Sequence, residues 1–118
     1  MLTPYAPRVH RQFLPFFRNG GFEVTSDATF NLESDWEIGE LTTESILEAS
    51  RFLAGPTRVD ALFISCTAIS IVSDIDELEG ALDLPVVTSS QALAWDVLRL
   101  MGYKKPIEGF GRLLRRIL

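Results

Sequence analysis

This chain has almost none of the residues from which metal sites and disulfide frameworks are built. Its 118 residues include one cysteine, Cys66, and one histidine, His10. A lone cysteine has no partner within the chain, so no intramolecular disulfide can form, which suits a reducing compartment such as the cytoplasm. One histidine and one cysteine far apart in sequence match no zinc-ligand spacing. Basic residues are also scarce. Eleven Lys and Arg face 16 Asp and Glu, a formal net charge of -5, which argues against a nucleic-acid footprint over the whole domain. The opening MLTPYAPRVH lacks the apolar stretch of a secretory signal. No apolar run is long enough to span a bilayer, so no membrane partner is expected. There is no internal repeat, low-complexity tract or linker. GFGR near the end lacks the third glycine and the preceding strand of a phosphate-binding fingerprint. What remains is one small domain over residues 1–118, whose 47% hydrophobic content is ordinary for a globular core.

The pattern of what is present alternates between helix and strand. Pro4 to Asn19 reads as a helix capped by Thr3, with Val9, Phe13, Phe16 and Phe17 as a core-facing aromatic stripe. Pro15 falls inside it and is expected to kink or split it, and Gly20-Gly21 ends it. Phe22 to Phe30 alternates apolar and polar residues and reads as a strand or a strand plus a turn. Asn31 to Leu41 reads as an acidic loop whose Glu33, Asp35, Glu37 and Glu40 are solvated. Thr42 caps a helix over Thr43 to Ala54 with Ile46, Leu47, Phe52 and Leu53 inward, stopped by Gly55-Pro56. Val59 to Ser65 is the clearest strand, a near-continuous apolar run of the kind buried on both faces of a parallel sheet. Ser73 caps an acidic helix over Asp74 to Leu82. Leu84 to Thr88 is a second short strand, and Ser89 or Ser90 caps a helix running to Met101. A last short helix is expected around Gly111 to Ile117. Strands alternating with helices predict an α/β domain, three layers around a short parallel sheet.

The run DALFISCT places Cys66 at the end of the clearest strand. Two readings of that position stay open. Free cysteine is a small, commonly buried core residue. It is also a reactive thiolate when it sits at the mouth of an α/β site. In open parallel sheets ligands bind beyond the carboxyl ends of the strands. Thr3 and Tyr5, Ser65-Cys66-Thr67, and Ser89-Ser90-Gln91 all fall on that edge. Backbone N–H groups in a tight loop there can bind an anion such as a carboxylate. Helix capping alone would also account for Thr3 and Ser89, and packing for Tyr5. His10, near Arg8 and Arg11, reads as a solvated helix residue.

The segments LTPY, FEV, EIGELTTESI, DALFISCTAI and LDLPVVTSSQALAWDVLRLMG, with the closing GFGRLL, closely resemble the second half of the maleate cis-trans isomerase family. That family belongs to the aspartate/glutamate racemase superfamily, with the arylmalonate decarboxylases. The third motif usually reads Ser-Asn-Gln there and reads Ser89-Ser90-Gln91 here, so residue 90 is given no role. The resemblance implies two similar flavodoxin-like lobes with the site between them, one cysteine from each, and neither metal nor organic cofactor. One cysteine adds to the double bond of the substrate and the other assists by proton transfer. Thiolates suit this because they are good nucleophiles and good leaving groups near neutral pH. Cys66 matches the second-lobe cysteine. Tyr5, Thr67 and Ala68 match positions that hold the carboxylates of a small dicarboxylate substrate.

The resemblance also sets expectations about what is missing. The first lobe and its cysteine are outside this sequence. With a helix from Pro4, the opening strand of the lobe would be largely missing and its neighbours unpaired. The implied partner is then a separate first lobe or a second copy of the chain. The expected activity is a cysteine-dependent isomerisation of small dicarboxylates. An arylmalonate decarboxylase-like lyase and a non-catalytic anion-binding or oligomerisation domain are the alternatives. The basic tail with Lys104, Lys105, Arg112, Arg115 and Arg116 reads as a solvated helix face rather than a nucleic-acid contact, and Leu113, Leu114, Ile117 and Leu118 as its packing side.

Overall fold

The computed structural model describes residues 1–55 and 58–116. Its strands are β1 (Leu2–Tyr5), β2 (Ala28–Leu32), β3 (Leu62–Ile64) and β4 (Val86–Thr88). All pairings are parallel and the sheet order is β2-β1-β3-β4. The helices are α1 (Pro7–Asn19), α2 (Asp35–Gly39), α3 (Thr43–Ala54), α4 (Ile75–Leu82), α5 (Ser89–Leu100) and α6 (Gly111–Arg115), with a 3-10 turn at Val72–Asp74. The chain leaves β1 for one side of the sheet and later returns to its other side. That makes the β1/β3 boundary a topological switch point, where doubly wound sheets place ligands. Among the described residues, no helix is long and apolar enough to cross a membrane.

The start of the chain departs from the sequence expectation. The opening strand is present, as β1, and it is central. It pairs with β2 through Leu2↔Ala28, Thr3↔Thr29 and Tyr5↔Leu32, and with β3 through Leu2↔Ile64. Two X-Pro steps explain why the helix does not begin at Pro4. Thr3 and Ala6 each precede a proline, whose ring pushes the preceding residue out of the helical region and into extended backbone. Pro7, not Pro4, then takes the first helical turn, and Ala6 stands at the N-cap instead of Thr3. Pro4 has no N–H to give a ladder, and the β1/β2 register slips between Thr3 and Tyr5.

Other boundaries moved for local reasons. Within the stretch read as an acidic loop, Ser34 and Glu37 form a capping box that starts α2. Glu37 is therefore not merely solvated. Its carboxylate accepts the backbone N–H of Glu33 and the hydroxyl and N–H of Ser34, which hold its pKa below the usual carboxylate value. Residues 22–27 carry no strand, and β2 begins at Ala28. α1 runs unbroken through Pro15. Thr42 caps α3 as expected, accepting the Ser45 N–H. Thr88, not Ser89 or Ser90, caps α5 through a box with Gln91. A 3-10 turn replaces Ser73 as the entry to α4. The expected helix stop at Pro56 and the roles of Ile117 and Leu118 lie outside the described residues.

The sheet packs on both faces, as alternation along β3 requires. Leu62 and Ile64, with Leu2 and Val86, join Ile46, Leu53, Ile75 and Leu78 in the main core. Full burial of such a side chain contributes roughly 1.5–3 kcal/mol. On the opposite face, the Phe63 ring meets Phe17 of α1 at 5.0 Å and the Tyr5 ring stacks on Phe13 at 5.4 Å. Two residues expected in the core are not there: Phe16 is 70% and Phe52 76% exposed. Both lie on the outer side of the last turns of their helices. The tail is also corrected. Arg112 and Arg115 are not a free basic face; they reach Asp76, Glu79, Asp83 and Glu108.

Candidate functional site

The carboxyl ends of β1 and β3 bring Tyr5, Ser65 and Cys66 together. Ser65 is buried and Cys66 half-buried. The Tyr5 hydroxyl lies 3.4 Å from Ser65 Oγ. Cys66 has φ 100°, a left-handed backbone that is a genuine outlier for a residue with a Cβ and costs on the order of 1–3 kcal/mol. The turn brings the N–H of Ala68 to within 3.4 Å of Cys66 Sγ, where it can donate to the sulfur. The N–H of Cys66 itself donates to Ser89 Oγ at 3.1 Å. A thiolate here is met by one backbone donor and faces a phenol.

The tyrosine is tuned by this setting. Burial raises the Tyr5 pKa above 10.0; hydrogen bonding to Ser65 works against the rise, and hydrogen bonding to Cys66 and the charges of Cys66 and Asp35 add to it. The phenol therefore stays protonated through neutral pH and acts as a hydrogen-bond donor, not a base. The sign for stability follows: the folded state binds the phenolic proton more tightly than the unfolded chain, so this contribution is present below pH 10 and is lost as pH rises through the folded value. Removing the sulfur's charge should bring Tyr5 back toward its ordinary value. A 295 nm titration of Cys66→Ser should show one tyrosine ionising at lower pH than in the parent chain, with an unchanged curve counting against the contact.

The other residues expected on this edge divide. Thr67 is exposed on the loop, and Ala68 directs its N–H to the sulfur in the free site. Ser90 is half-buried. Gln91 is not available to a ligand: it is fully buried, completes the α5 capping box, and donates from Nε2 to the Phe110 carbonyl at 2.6 Å. Asp35, read as a solvated loop charge, lies close enough to act on Tyr5. Nothing in the local sequence marks it, because the α2 start and the β1 end meet only in the fold.

Thr3 and His10 form a structural relay behind the site. His10 is 5% exposed, not solvated. Its Nε2 donates to Asp27 Oδ2 at 2.7 Å, and its Nδ1 lies 2.8 Å from Thr3 Oγ1. With Nε2 carrying a proton, the neutral ring accepts the Thr3 hydroxyl at Nδ1. This links α1, β1 and the segment entering β2. Thr3 has 0% exposure, so its hydroxyl meets no substrate. His10→Ala leaves the buried Thr3 hydroxyl unpartnered and returns the part-exposed Asp27 carboxylate to water, and should cost about 2 kcal/mol in urea unfolding; a loss below ~0.5 kcal/mol would mark the relay as energetically idle.

A groove of about 760 Å³ lies elsewhere, lined by Met1, Phe17, Phe22, Leu53, Phe63 and Val87 among others. It opens at the amino ends of the strands, away from Cys66, and its wall mixes these apolar residues with Glu23, Thr25, Ser26, Arg58 and Asp60.

Comparison with known proteins gives a consistent relationship. The family model described as arylmalonate decarboxylase (Amdase) matches residues 1–114. The maleate isomerase of Nocardia farcinica is 26% identical over 117 residues, 98% of this chain and 46% of that protein. The arylmalonate decarboxylase of Bordetella bronchiseptica is 28% identical over 116 residues, 96% of this chain and 48% of that protein. Among solved structures, a Nocardia farcinica maleate cis-trans isomerase mutant with a covalently bound succinylcysteine intermediate superposes with a TM-score of 0.90 at 24% identity, over 97% of this chain and 46% of that one. A liganded arylmalonate decarboxylase mutant gives 0.84 at 27% identity, over 95% and 49%. The chain spans about half the length of the curated relatives it matches.

Proposed function

We propose, from the premise that the chain belongs to the arylmalonate decarboxylase family, that it is one lobe of a cysteine-dependent, cofactor-independent enzyme acting on small dicarboxylates. The reaction is isomerisation of the maleate type. Cys66 moves a proton at a carbon that bears a carboxylate. The observation that supports this is the Cys66 thiol, half-buried at the switch point, with the Ala68 N–H on its sulfur and the protonated Tyr5 phenol beside it.

The chemistry follows from the parts. When thiolate adds to one alkene carbon of maleate, its neighbour becomes a carbanion delocalised into the adjoining carboxylate. Protonation, or its reversal, at that carbon is the work of a second thiol. Tyr5 donates to a carboxylate oxygen, where negative charge builds. Thr67 and the loop N–H groups, including that of Ala68 once a ligand displaces it from sulfur, hold the other carboxylate. The complementary thiol comes from a first lobe or from a second copy of this chain, consistent with relatives of about twice the length. The cytoplasm is the proposed compartment, since the chemistry needs a reduced thiol.

A second reading rests on the family model itself and on the 28% identity to an arylmalonate decarboxylase. There, loss of CO2 from a carbon bearing two carboxylates leaves the same kind of carbanion, and Cys66 protonates it. The test is proton NMR of the purified chain with maleate, with phenylmalonate in a parallel tube. Isomerisation is expected, slow for a single lobe, and reduced at least ~100-fold in Cys66→Ser. Turnover of phenylmalonate alone moves the assignment to the lyase. Equal rates in the parent chain and in Cys66→Ser, or no reaction by the folded chain even with a first lobe supplied, defeat both.

A further inference from the structure

We propose that Ser89 is a positioning residue for Cys66: its hydroxyl accepts the Cys66 N–H and holds the loop in the left-handed backbone that keeps the sulfur against the Ala68 N–H. Three observations converge. Cys66 has φ 100° although it carries a side chain. Its N–H donates to Ser89 Oγ at 3.1 Å. Its sulfur lies 3.4 Å from the Ala68 nitrogen, two residues on. Left without an acceptor, a strained residue relaxes toward negative φ, and the sulfur swings away from its donor.

Among the described residues, the Ser89 hydroxyl has no other hydrogen-bond partner than the Cys66 N–H. It is the first residue of α5, where a serine would ordinarily be taken for the cap. Capping is already complete without it: Thr88 Oγ1 accepts the Gln91 N–H at 3.1 Å, and Gln91 Oε1 accepts the Thr88 N–H at 3.3 Å. The Ser89 hydroxyl is therefore turned to the neighbouring strand end. The contact ties the loop after β3 to the start of the helix after β4, and that helix is itself held by Gln91 on the Phe110 carbonyl. The thiol's geometry is thus set from the next βα unit. Because an N–H donor favours the charged form of its acceptor, Ser89 acts on thiolate reactivity through the backbone.

The inference rests on reading Cys66 as a functional thiol, but its test needs no substrate. Cys66 is the only cysteine, so alkylation by iodoacetamide, in which the thiolate displaces iodide and forms an S–C bond, reports one site by mass. Rates are measured across about pH 6 to 10 for the parent chain, Ser89→Ala and Ser89→Thr. Ser89→Ala should react about tenfold more slowly near neutral pH, with its pH–rate profile moved to the alkaline side. Ser89→Thr, which keeps the hydroxyl, should restore both. Identical profiles for all three overturn the proposal, as does a Ser89→Thr profile that follows Ser89→Ala. Amide exchange of the parent chain gives a reading independent of any variant's folding. A protected Cys66 N–H supports the contact, and exchange at the unprotected rate overturns it. Failure to turn over maleate would leave these outcomes untouched.

Discussion

Glu79→Ala should lose about 3–5 kcal/mol of folding stability, more than any surface substitution in the chain. Glu79 sits on α4 with 2% exposure, which for a carboxylate is tolerable only with partners. It has them from two directions. Oε1 accepts the Val86 N–H at 2.9 Å, at the head of β4. Oε2 accepts the Arg112 N–H at 2.8 Å, in the first turn of α6. The guanidinium of Arg115 lies 3.5 Å away and that of Arg112 3.8 Å. These arginines are partly exposed, so the ion pairs contribute less than the backbone bonds. Alanine would strand two N–H donors, each worth roughly 1–3 kcal/mol when unpaired, and leave a small void. Glu79→Gln keeps one carbonyl oxygen and should fall between, at about 2 kcal/mol. The comparison is Asp96→Ala, which breaks only the half-exposed Asp96–Arg99 pair and should cost under ~0.5 kcal/mol. Urea midpoints decide it, and equal losses at residues 79 and 96 would refute the network's role.

Glu79 also shows what was and was not legible in the sequence. It sits in a stretch, IDELEGAL, that reads correctly as an acidic helix. Nothing in that stretch says that one carboxylate turns inward to hold a strand and a later helix. Short-range signals carried well. Thr42 at a cap and the apolar run before Ser65 each act within a few residues: Thr42 caps α3 as expected, and the run gives β3, though only over Leu62–Ile64 of the Val59 to Ser65 stretch read as strand. The placement of Cys66 at a strand end followed from that run and from parallel topology. The helix start is not legible at Pro4 because a proline there suits a first helical turn, while the pre-proline restriction on Thr3 and Ala6 keeps the backbone extended as far as Ala6. His10 was beyond reach of pattern: Thr3 is seven residues before it and Asp27 seventeen after, and only the β1-α1-β2 packing closes the relay. The same holds for Ser89, which was legible as a cap and is instead a partner of Cys66 from across 23 residues.

Gly111→Ala should cost about 3 kcal/mol, whereas Gly109→Ala, with nearly the same backbone, should cost about 1 kcal/mol. The two glycines separate two effects. Gly109 has φ 87° and Gly111 φ 84°, so both pay the left-handed penalty when a Cβ is added. At Gly109 that Cβ would meet nothing within 4 Å. At Gly111 it would stand 2.4 Å from Ile75 Cγ2 and 2.6 Å from Gln91 Nε2. Neither neighbour yields without cost. Ile75 is fully buried in the main core, and Gln91 is held by the Phe110 carbonyl and by its capping box. The GFGR segment is thus a close backbone approach, with the Gly111 N–H on Asp76 Oδ1 at 3.0 Å, and not a phosphate loop. The difference of about 2 kcal/mol between the variants is the overpacking alone, and matching unfolding midpoints would show that Ile75 and Gln91 can move aside. The displaced Gln91 carries a further consequence. It caps the helix that begins with Ser89, so Gly111→Ala should also slow Cys66 alkylation while Gly109→Ala leaves it unchanged. A packing defect at the far end of the chain would then be read out at the thiol, through the same α5 terminus that holds Cys66 in its strained turn.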